Sequence, residues 1–237
     1  MPPADKPSPL AMVVLISGHG SNLQAIMDAI AAGKVPAEIR AVISNQPQAF
    51  GLERARRAGI PALVLDHRGF PDRESYDAAL RDLIDRHDPG LVVLAGFMRI
   101  LTPDFVGHYK GRLLNIHPSL LPAFPGLDTH RRALAAGVRE HGASIHFVTA
   151  ELDSGPVIIR GRVPVLPADD AATLAARVQR VEHRLYPLVI RWFAEGRLRM
   201  DDEGVVFDGR HLAAPLDLES CPDASLEHDG QDSQPPH

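Results

Sequence analysis

The chain has one cysteine, Cys221, among 237 residues. One cysteine cannot build a disulfide framework or a cysteine-based zinc cluster, so both are excluded. No run of Lys and Arg forms a basic stripe, and the formal net charge is -5. Nucleic-acid binding is therefore not expected as the main activity. The apolar stretch 10–16 is too short for a membrane span or a signal peptide, so we expect a cytoplasmic globular protein without a membrane partner.

Several catalytic motifs are also missing. There is no Gly-x-Ser-x-Gly elbow, which disfavours serine-hydrolase chemistry, and no His-Glu-x-x-His zinc motif. The glycine-rich stretch Gly-His-Gly-Ser-Asn at 18–22 is neither a complete dinucleotide fingerprint nor a Walker A loop. A dinucleotide-dependent dehydrogenase is accordingly a weak alternative, and we expect no metal.

Apolar runs and helical patterns alternate along most of the chain, which indicates an α/β fold with a doubly wound, mostly parallel sheet. The predicted strands are 12–17, 39–44, 62–66, 91–95 and 112–116, and the predicted helices are 23–32, 51–58, 72–87 and 103–108. A helix at 129–136 and two extended runs, 143–149 and 157–164, then predict an antiparallel C-terminal extension. A long helix at 170–195 and a weak hairpin, 198–200 with 205–207, follow.

The two ends of the chain differ from this pattern. Residues 1–10 contain four prolines and little apolar content, and residues 213–237 are acidic and aperiodic. Both segments are predicted to be disordered. Residues 11–212 show no internal repeat and no linker, so we interpret them as one domain.

The most informative stretch is 115–126, which reads Asn-Ile-His-Pro-Ser-Leu-Leu-Pro-Ala-Phe-Pro-Gly. Residues i and i+2 of an extended segment point the same way, so Asn115 and His117 can converge on one atom. Three prolines then restrict the loop. Two fixed polar donors suit the stabilisation of a developing oxyanion. The alternative interpretation is a turn after a buried strand, with incidental polar caps.

The stretch 18–22 follows the first strand and opens the first helix. Glycines there allow backbone N–H groups to approach an anion, and a helix N-terminus favours negative charge. A monophosphate fits better than a dinucleotide, with Ser21 as N-cap or phosphate donor. The alternative is that the glycines serve packing alone.

Two further segments carry candidate residues. After the fourth strand, Met98, Ile100 and Leu101 flank Arg99 and are suited to a flat ligand that bears a carboxylate; the alternative is a core loop. Asp153 lies between two extended runs. If it reaches His117, its charge favours the imidazolium and provides a general acid, whereas the alternative is an ordinary turn.

Taken together, four segments resemble the phosphoribosylglycinamide formyltransferase family within the wider group of enzymes that use 10-formyltetrahydrofolate. They are Val-Val-Leu-Ile-Ser-Gly-His-Gly-Ser-Asn-Leu-Gln-Ala-Ile at 13–26, Leu-Ala-Gly-Phe-Met-Arg-Ile-Leu at 94–101, Asn-Ile-His-Pro-Ser-Leu-Leu-Pro at 115–122 and His-Phe-Val-Thr-Ala-Glu-Leu-Asp-Ser-Gly-Pro-Val-Ile at 146–158. The similarity extends from about residue 12 to 212, so the expected domain is a formyltransferase domain with a Rossmann-like fold.

The resemblance implies roles for particular residues. It implies catalytic roles for Asn115, His117 and Asp153. It implies ribonucleotide binding by Gly20, Ser21, Asn22 and Glu182, and binding of the folate co-substrate by Arg73, Met98, Arg99, Ile100, Leu101 and Asn115. The implied reaction passes the formyl group of 10-formyltetrahydrofolate to the amine of glycinamide ribonucleotide, in purine biosynthesis. The expected partners are these two small molecules, and the oligomeric state is left open.

Two positions depart from the family pattern: His19 stands where Asn or a small residue is usual, and Asp128 stands where His is usual. Neither is an implied catalytic position. Related alternatives are a formyltetrahydrofolate hydrolase, with an extra N-terminal domain, and a methionyl-tRNA formyltransferase, with a C-terminal RNA-binding domain; this length leaves no room for either. A catalytically silent ligand-binding module is the alternative from another class.

Overall fold

The computed structural model describes residues 8–223. Its strands are β1 Leu10–Ile16, β2 Ala37–Ser44, β3 Ala62–Val64, β4 Leu91–Leu94, β5 Leu113–His117, β6 Glu140–Phe147, β7 Val157–Pro164, β8 Leu198–Asp201, β9 Gly204–Phe207, β10 Arg210–His211 and β11 Leu216–Asp217. Eight of them form one sheet in the order β11-β7-β6-β5-β4-β1-β2-β3, and β10-β9-β8 form a second, small antiparallel sheet.

The helices cover both faces of the large sheet. They are α1 Ser21–Ala31, α2 Phe50–Arg57, α3 Arg73–Asp85, α4 Pro103–His108, α5 Thr129–Ala135 and α6 Ala171–Ala194. Alternate residues of β1 enter two different cores: Met12 and Val14 pack with α1, α2, α5 and α6, whereas Val13 and Leu15 pack with α3 and α4. This alternation follows from the two-residue period of a strand. Both faces of the central strands are buried, which is why their sequences are continuously apolar.

The predicted fold class is confirmed. Strands β1 to β5 pair parallel with one another and β11 pairs parallel with β7, while β6 pairs antiparallel with both β5 and β7. The antiparallel part therefore begins where the proline loop ends. No helix within residues 8–223 is long and apolar enough to cross a membrane.

Order extends beyond the predicted limits of the domain. β1 begins at Leu10, inside the segment predicted to be disordered, and residues 1–7 lie outside the described part. The prediction of disorder from residue 213 is wrong for β11 and for the helical turn Leu218–Ser220. Tertiary contacts hold this short segment: β11 pairs with β7, and the buried Leu218 joins the main core. Residues 224–237 lie outside the described range.

The C-terminal segment gives the first testable prediction. Leu218 is 2% exposed, whereas Leu166 is 47% exposed. Leu218→Ala removes buried side-chain volume and is expected to lower the free energy of unfolding by about 2–5 kcal/mol. Leu166→Ala, the matched control, is expected to change it by less than about 0.5 kcal/mol. Urea denaturation of both variants measures the difference, and equal stabilities would argue against a docked C-terminal segment.

Candidate active site

Three neighbouring parallel strands, β4, β1 and β5, place the predicted polar segments at one edge of the large sheet. The segments 17–22, 95–102 and 118–128 each leave the carboxyl end of one of these strands. Ligands of open α/β sheets bind at this edge. A surface depression of about 760 Å³ lies elsewhere: residues of α1, the first half of β2 and the segments before β3 and β4 line it, and none of the predicted site residues does.

His117, the last residue of β5, is held between two acceptors. Its Nδ1 lies 3.4 Å from Oδ2 of Asp153, and its Nε2 lies 2.9 Å from the carbonyl oxygen of Phe124. The side chains of His117 and Asp153 are each only 7% exposed. A neutral imidazole has one N–H donor, whereas the imidazolium has two and satisfies both acceptors. The contact between His117 and Asp153 that the sequence suggested is thus present.

Asp153 reaches His117 because its loop turns back sharply after β6. Asp153 has a φ of 51°, in the left-handed region that Asp tolerates better than most residues. A Cβ on Gly155 would lie 1.8 Å from the carbonyl oxygen of Phe147, so only glycine allows the chain to return this closely. The backbone N–H of Gly126 donates to Oδ2 of Asp153 at 2.8 Å, which ties the proline loop to the same carboxylate.

His146 completes the group, and sequence reasoning did not find it. It lies opposite Asn115 in the β5–β6 pairing, and Nδ2 of Asn115 lies 3.1 Å from its Nε2. Its Nδ1 lies 3.0 Å from the carbonyl oxygen of Phe147, and burial lowers the pKa of this imidazole. A neutral ring donates from Nδ1 and accepts at Nε2, which orients the Asn115 amide. His146 opens the segment 146–158 that resembles the family but belongs to no catalytic spacing, and only the pairing of β6 with β5 brings it beside Asn115.

The predicted phosphate loop meets helix α6. Nδ2 of Asn22 donates to the Glu182 carboxylate at 2.9 Å, and Nε2 of Gln179 donates to Oγ of Ser21 at 2.9 Å. Gln179 and Glu182 are three residues apart, so both lie on the helix face that looks toward α1. Sequence reasoning included Glu182 only through the family resemblance and did not include Gln179.

Glu182 is buried, and the side-chain amide of Asn22 donates a hydrogen bond to its carboxylate. Burial raises the pKa of its carboxyl above the ordinary value, while the hydrogen bond from Asn22 opposes this effect. Oδ1 of Asn22 has no hydrogen-bond partner. A buried, unpaired polar oxygen beside a carboxylate is costly for the fold. Both groups are therefore available to a hydroxyl or amine of a ligand.

Gly20 also serves packing. It has a φ of 73°, and a Cβ placed on it would lie 2.6 Å from Cα of Gly51. The backbones of the first loop and of α2 are thus in direct contact, and the packing interpretation is correct for this glycine. It does not compete with anion binding, because the free N–H groups of the first turn of α1 remain available.

The segment after β4 exposes part of its apolar surface. Met98 is 68% exposed and Ile100 is 55% exposed, whereas Leu101 is buried in the core beside α3 and α4. Arg99 is partly exposed, and its guanidinium stacks on the Tyr76 ring, with its carbon 4.7 Å from the ring centroid. Met98 and Ile100 therefore supply the exposed apolar surface of this segment, and Arg99 packs against Tyr76 of α3.

Arg73 and the two unusual residues lie at the periphery. Arg73 is exposed at the start of α3, and its nearest charged group is Glu74 at 3.8 Å. The structure does not bring Arg73 into contact with the other candidate residues. His19 stacks on Phe50, and Asp128 is an exposed left-handed residue before α5. Within residues 8–223, no group of three or more His, Cys, Asp and Glu side chains is arranged to hold a metal ion.

Comparison with known proteins shows the family to which the chain belongs. The formyl transferase family model matches residues 10–190. The phosphoribosylglycinamide formyltransferase of Escherichia coli K12 is 59% identical over 201 residues, covering 85% of this chain and 95% of that protein. A solved phosphoribosylglycinamide formyltransferase from Coxiella burnetii superposes with a TM-score of 0.85 at 52% identity and covers 88% and 99% of the two chains. A trifunctional purine biosynthetic protein of Drosophila pseudoobscura is 48% identical over 194 residues, which is 81% of this chain and 14% of that protein.

The buried carboxyl of Glu182 generates a pH-dependent prediction. Below about pH 4.5, the ordinary pKa of a glutamate, the Glu182 carboxyl is protonated in both the folded and the unfolded protein. Above it the unfolded chain loses the proton while the folded protein keeps it, so the free energy of unfolding falls as pH rises toward the raised pKa. The limiting slope for one proton is about 1.4 kcal/mol per pH unit.

Glu182→Gln removes this titration, so the variant should gain stability relative to the wild type as the pH rises from 4.5 to 7. Urea denaturation at several pH values measures the gain. Glu151→Gln changes an exposed glutamate and is the control. If the difference in free energy of unfolding between the wild type and Glu182→Gln does not vary with pH, the burial of the Glu182 carboxyl imposes no pH-dependent cost on stability.

Proposed function

Because the chain belongs to the phosphoribosylglycinamide formyltransferases of the formyl transferase family, we propose that Asn115, His117 and Asp153 carry out a direct formyl transfer at the carboxyl edge of its sheet. Enzymes of this group act in purine biosynthesis and use formyl folate and glycinamide ribonucleotide. The observation that carries the proposal is the connected group of Asn115, His146, Asp153 and His117 at the end of β5.

The ribonucleotide is assigned to the loop before α1. Its phosphate accepts hydrogen bonds from the backbone N–H groups and the Ser21 hydroxyl, with the positive end of the α1 dipole beneath it. The oxygens of the buried pair Asn22 and Glu182 accept hydrogen bonds from the ribose hydroxyls. The free oxygen of Asn22 and the single hydrogen bond to Glu182 support this assignment, since a bound sugar supplies the missing donors.

The folate is assigned to the segment after β4. Met98 and Ile100 offer an apolar surface to a flat ring, and Leu101 supports them from the core. The exposed Arg73 guanidinium is suited to the carboxylates of the folate tail. Asn115 lies next to this segment, because β5 pairs with β4, and therefore reaches the formyl-bearing nitrogen as well.

The chemistry follows from the positions of the two donors. The neutral amine of the ribonucleotide attacks the formyl carbon, and the carbonyl oxygen becomes an oxyanion that accepts hydrogen bonds from Asn115 and protonated His117. The bond from carbon to N10 then breaks. The proton lost by the amine passes to N10 through a water next to Asp153. This route uses no protein nucleophile and no metal.

In the unliganded chain, Nε2 of His117 donates to the carbonyl oxygen of Phe124. The oxyanion takes the place of this carbonyl when the substrates bind, so the proline loop adjusts at Phe124. Catalytic hydrogen bonds commonly reach their final geometry only in the substrate complex. The assay that tests the whole proposal is whether the purified protein formylates glycinamide ribonucleotide with 10-formyltetrahydrofolate. A protein that binds both molecules without turnover would be a silent binding module.

His117→Ala is expected to lower kcat by about 10²–10³-fold, because one donor to the oxyanion is lost. The KM values of both substrates should change little, since the interaction belongs mainly to the transition state. Steady-state kinetics measures both quantities. The control is His211→Ala, a partly exposed histidine of the small sheet. A His117→Ala enzyme with wild-type kcat would refute the assignment.

Asp153→Asn keeps the size of the side chain and an oxygen that accepts from Gly126, but it removes the negative charge beside His117. We expect kcat to fall by about tenfold or more, because the imidazolium is no longer stabilised. The fold should persist, since Asn also tolerates the left-handed backbone. Kinetics and thermal unfolding on the same preparation separate the two effects. Unchanged kcat would mean that the charge of Asp153 has no part in the reaction.

A further inference from the structure

The segment 98–101 exposes two apolar side chains but has no helix or strand of its own to hold it. At each end of this stretch, a backbone N–H donates a hydrogen bond to a side chain from a distant part of the chain. The backbone N–H of Met98 donates to Oγ of Ser17 at 2.7 Å, and that of Thr102 donates to Oδ2 of Asp77 at 2.6 Å. The conformation of the segment is thus fixed from outside.

Asp77 is an unusual residue for its place. It lies on the inner face of α3, is 2% exposed, and its other oxygen, Oδ1, has no hydrogen-bond partner. Burying a carboxylate in such surroundings costs free energy, and one hydrogen bond offsets only part of it. The ring of the preceding residue, Tyr76, stacks against the Arg99 guanidinium. Two consecutive residues of α3 therefore contact the segment, one at its end and one at its centre.

Ser17 makes the equivalent contact at the other end. Its hydroxyl donates to Oδ1 of Asn45 at 2.6 Å while it accepts from Met98, so its orientation is set by the residue that follows β2. Ser17 directly precedes the loop assigned to the ribonucleotide. Ser17 therefore connects the start of the loop assigned to the ribonucleotide with the start of the segment 98–101.

We propose that Asp77 and Ser17 are positioning residues for the folate: they hold 98–101 in the conformation that presents Met98 and Ile100 to the co-substrate. The inference rests on the proposed function, because that function assigns the folate to this segment. Neither residue needs to touch the folate. Their effect is preorganisation, since a segment already in its bound conformation loses less entropy when the ligand binds.

Asp77→Ala removes the acceptor for Thr102. We expect the KM for 10-formyltetrahydrofolate to rise about tenfold, the size of one lost hydrogen bond to a charged group. The KM for the ribonucleotide should stay within about twofold. Asp77→Asn keeps an acceptor oxygen and should recover most of the affinity. Asp82→Ala removes an exposed carboxylate from the same helix and is the matched control.

Two additional measurements keep the outcome unambiguous. Hydrogen exchange at the Thr102 amide should accelerate in Asp77→Ala and not in Asp82→Ala, independently of activity. If Asp77→Ala does not fold, Ser17→Ala tests the other end through the KM for folate and exchange at the Met98 amide. With an active wild type, a selective rise in the folate KM supports the inference, and a KM equal to that of Asp82→Ala overturns it. If the wild type is inactive, the proposed function fails, and unchanged Thr102 exchange would separately overturn the positioning role.

Discussion

The Asp153 carboxylate is the interaction on which the organisation of the site depends. It lies beside three separate segments of the chain: the end of β5 through His117, the proline loop through the amide of Gly126, and β6 through His146. Without the Asp153 carboxylate, the His117 imidazole and the Gly126 amide would face one another in a buried space with no common acceptor. The close return of the chain at Gly155 allows the Asp153 side chain to lie beside His117.

The central part of the fold could be predicted from the sequence because the strands between β1 and β5 are mainly apolar, and polar or glycine-rich segments follow them. The pair Asn115 and His117 could be predicted for a related reason, since a spacing of two within a strand fixes a common direction. Glu182 had no such local signal and came from the family resemblance alone. His146, Gln179 and Asp77 were not predicted, because their partners lie 31, 158 and 25 residues away and only tertiary contacts reveal them.

The prediction of disorder in the C-terminal segment was wrong for the same physical reason. β11 is two residues long, and its composition resembles that of a disordered tail. Local propensity says little about such a piece, since the burial of Leu218 and the pairing with β7 decide its conformation. At Gly20 the sequence offered packing and anion binding as alternatives. The structure shows the packing contact with Gly51 directly, and the two roles use different atoms of the same loop.

The pairing of β11 with β7 has a consequence for the behaviour of shortened chains. Without residues beyond 212, β7 would become the outermost strand of the eight-stranded sheet, with unpaired backbone groups at Ile159 and Arg160. Exposed edge strands promote association between molecules. Removing this short segment would thus expose an edge through which molecules can associate, although every residue of the site would still be present.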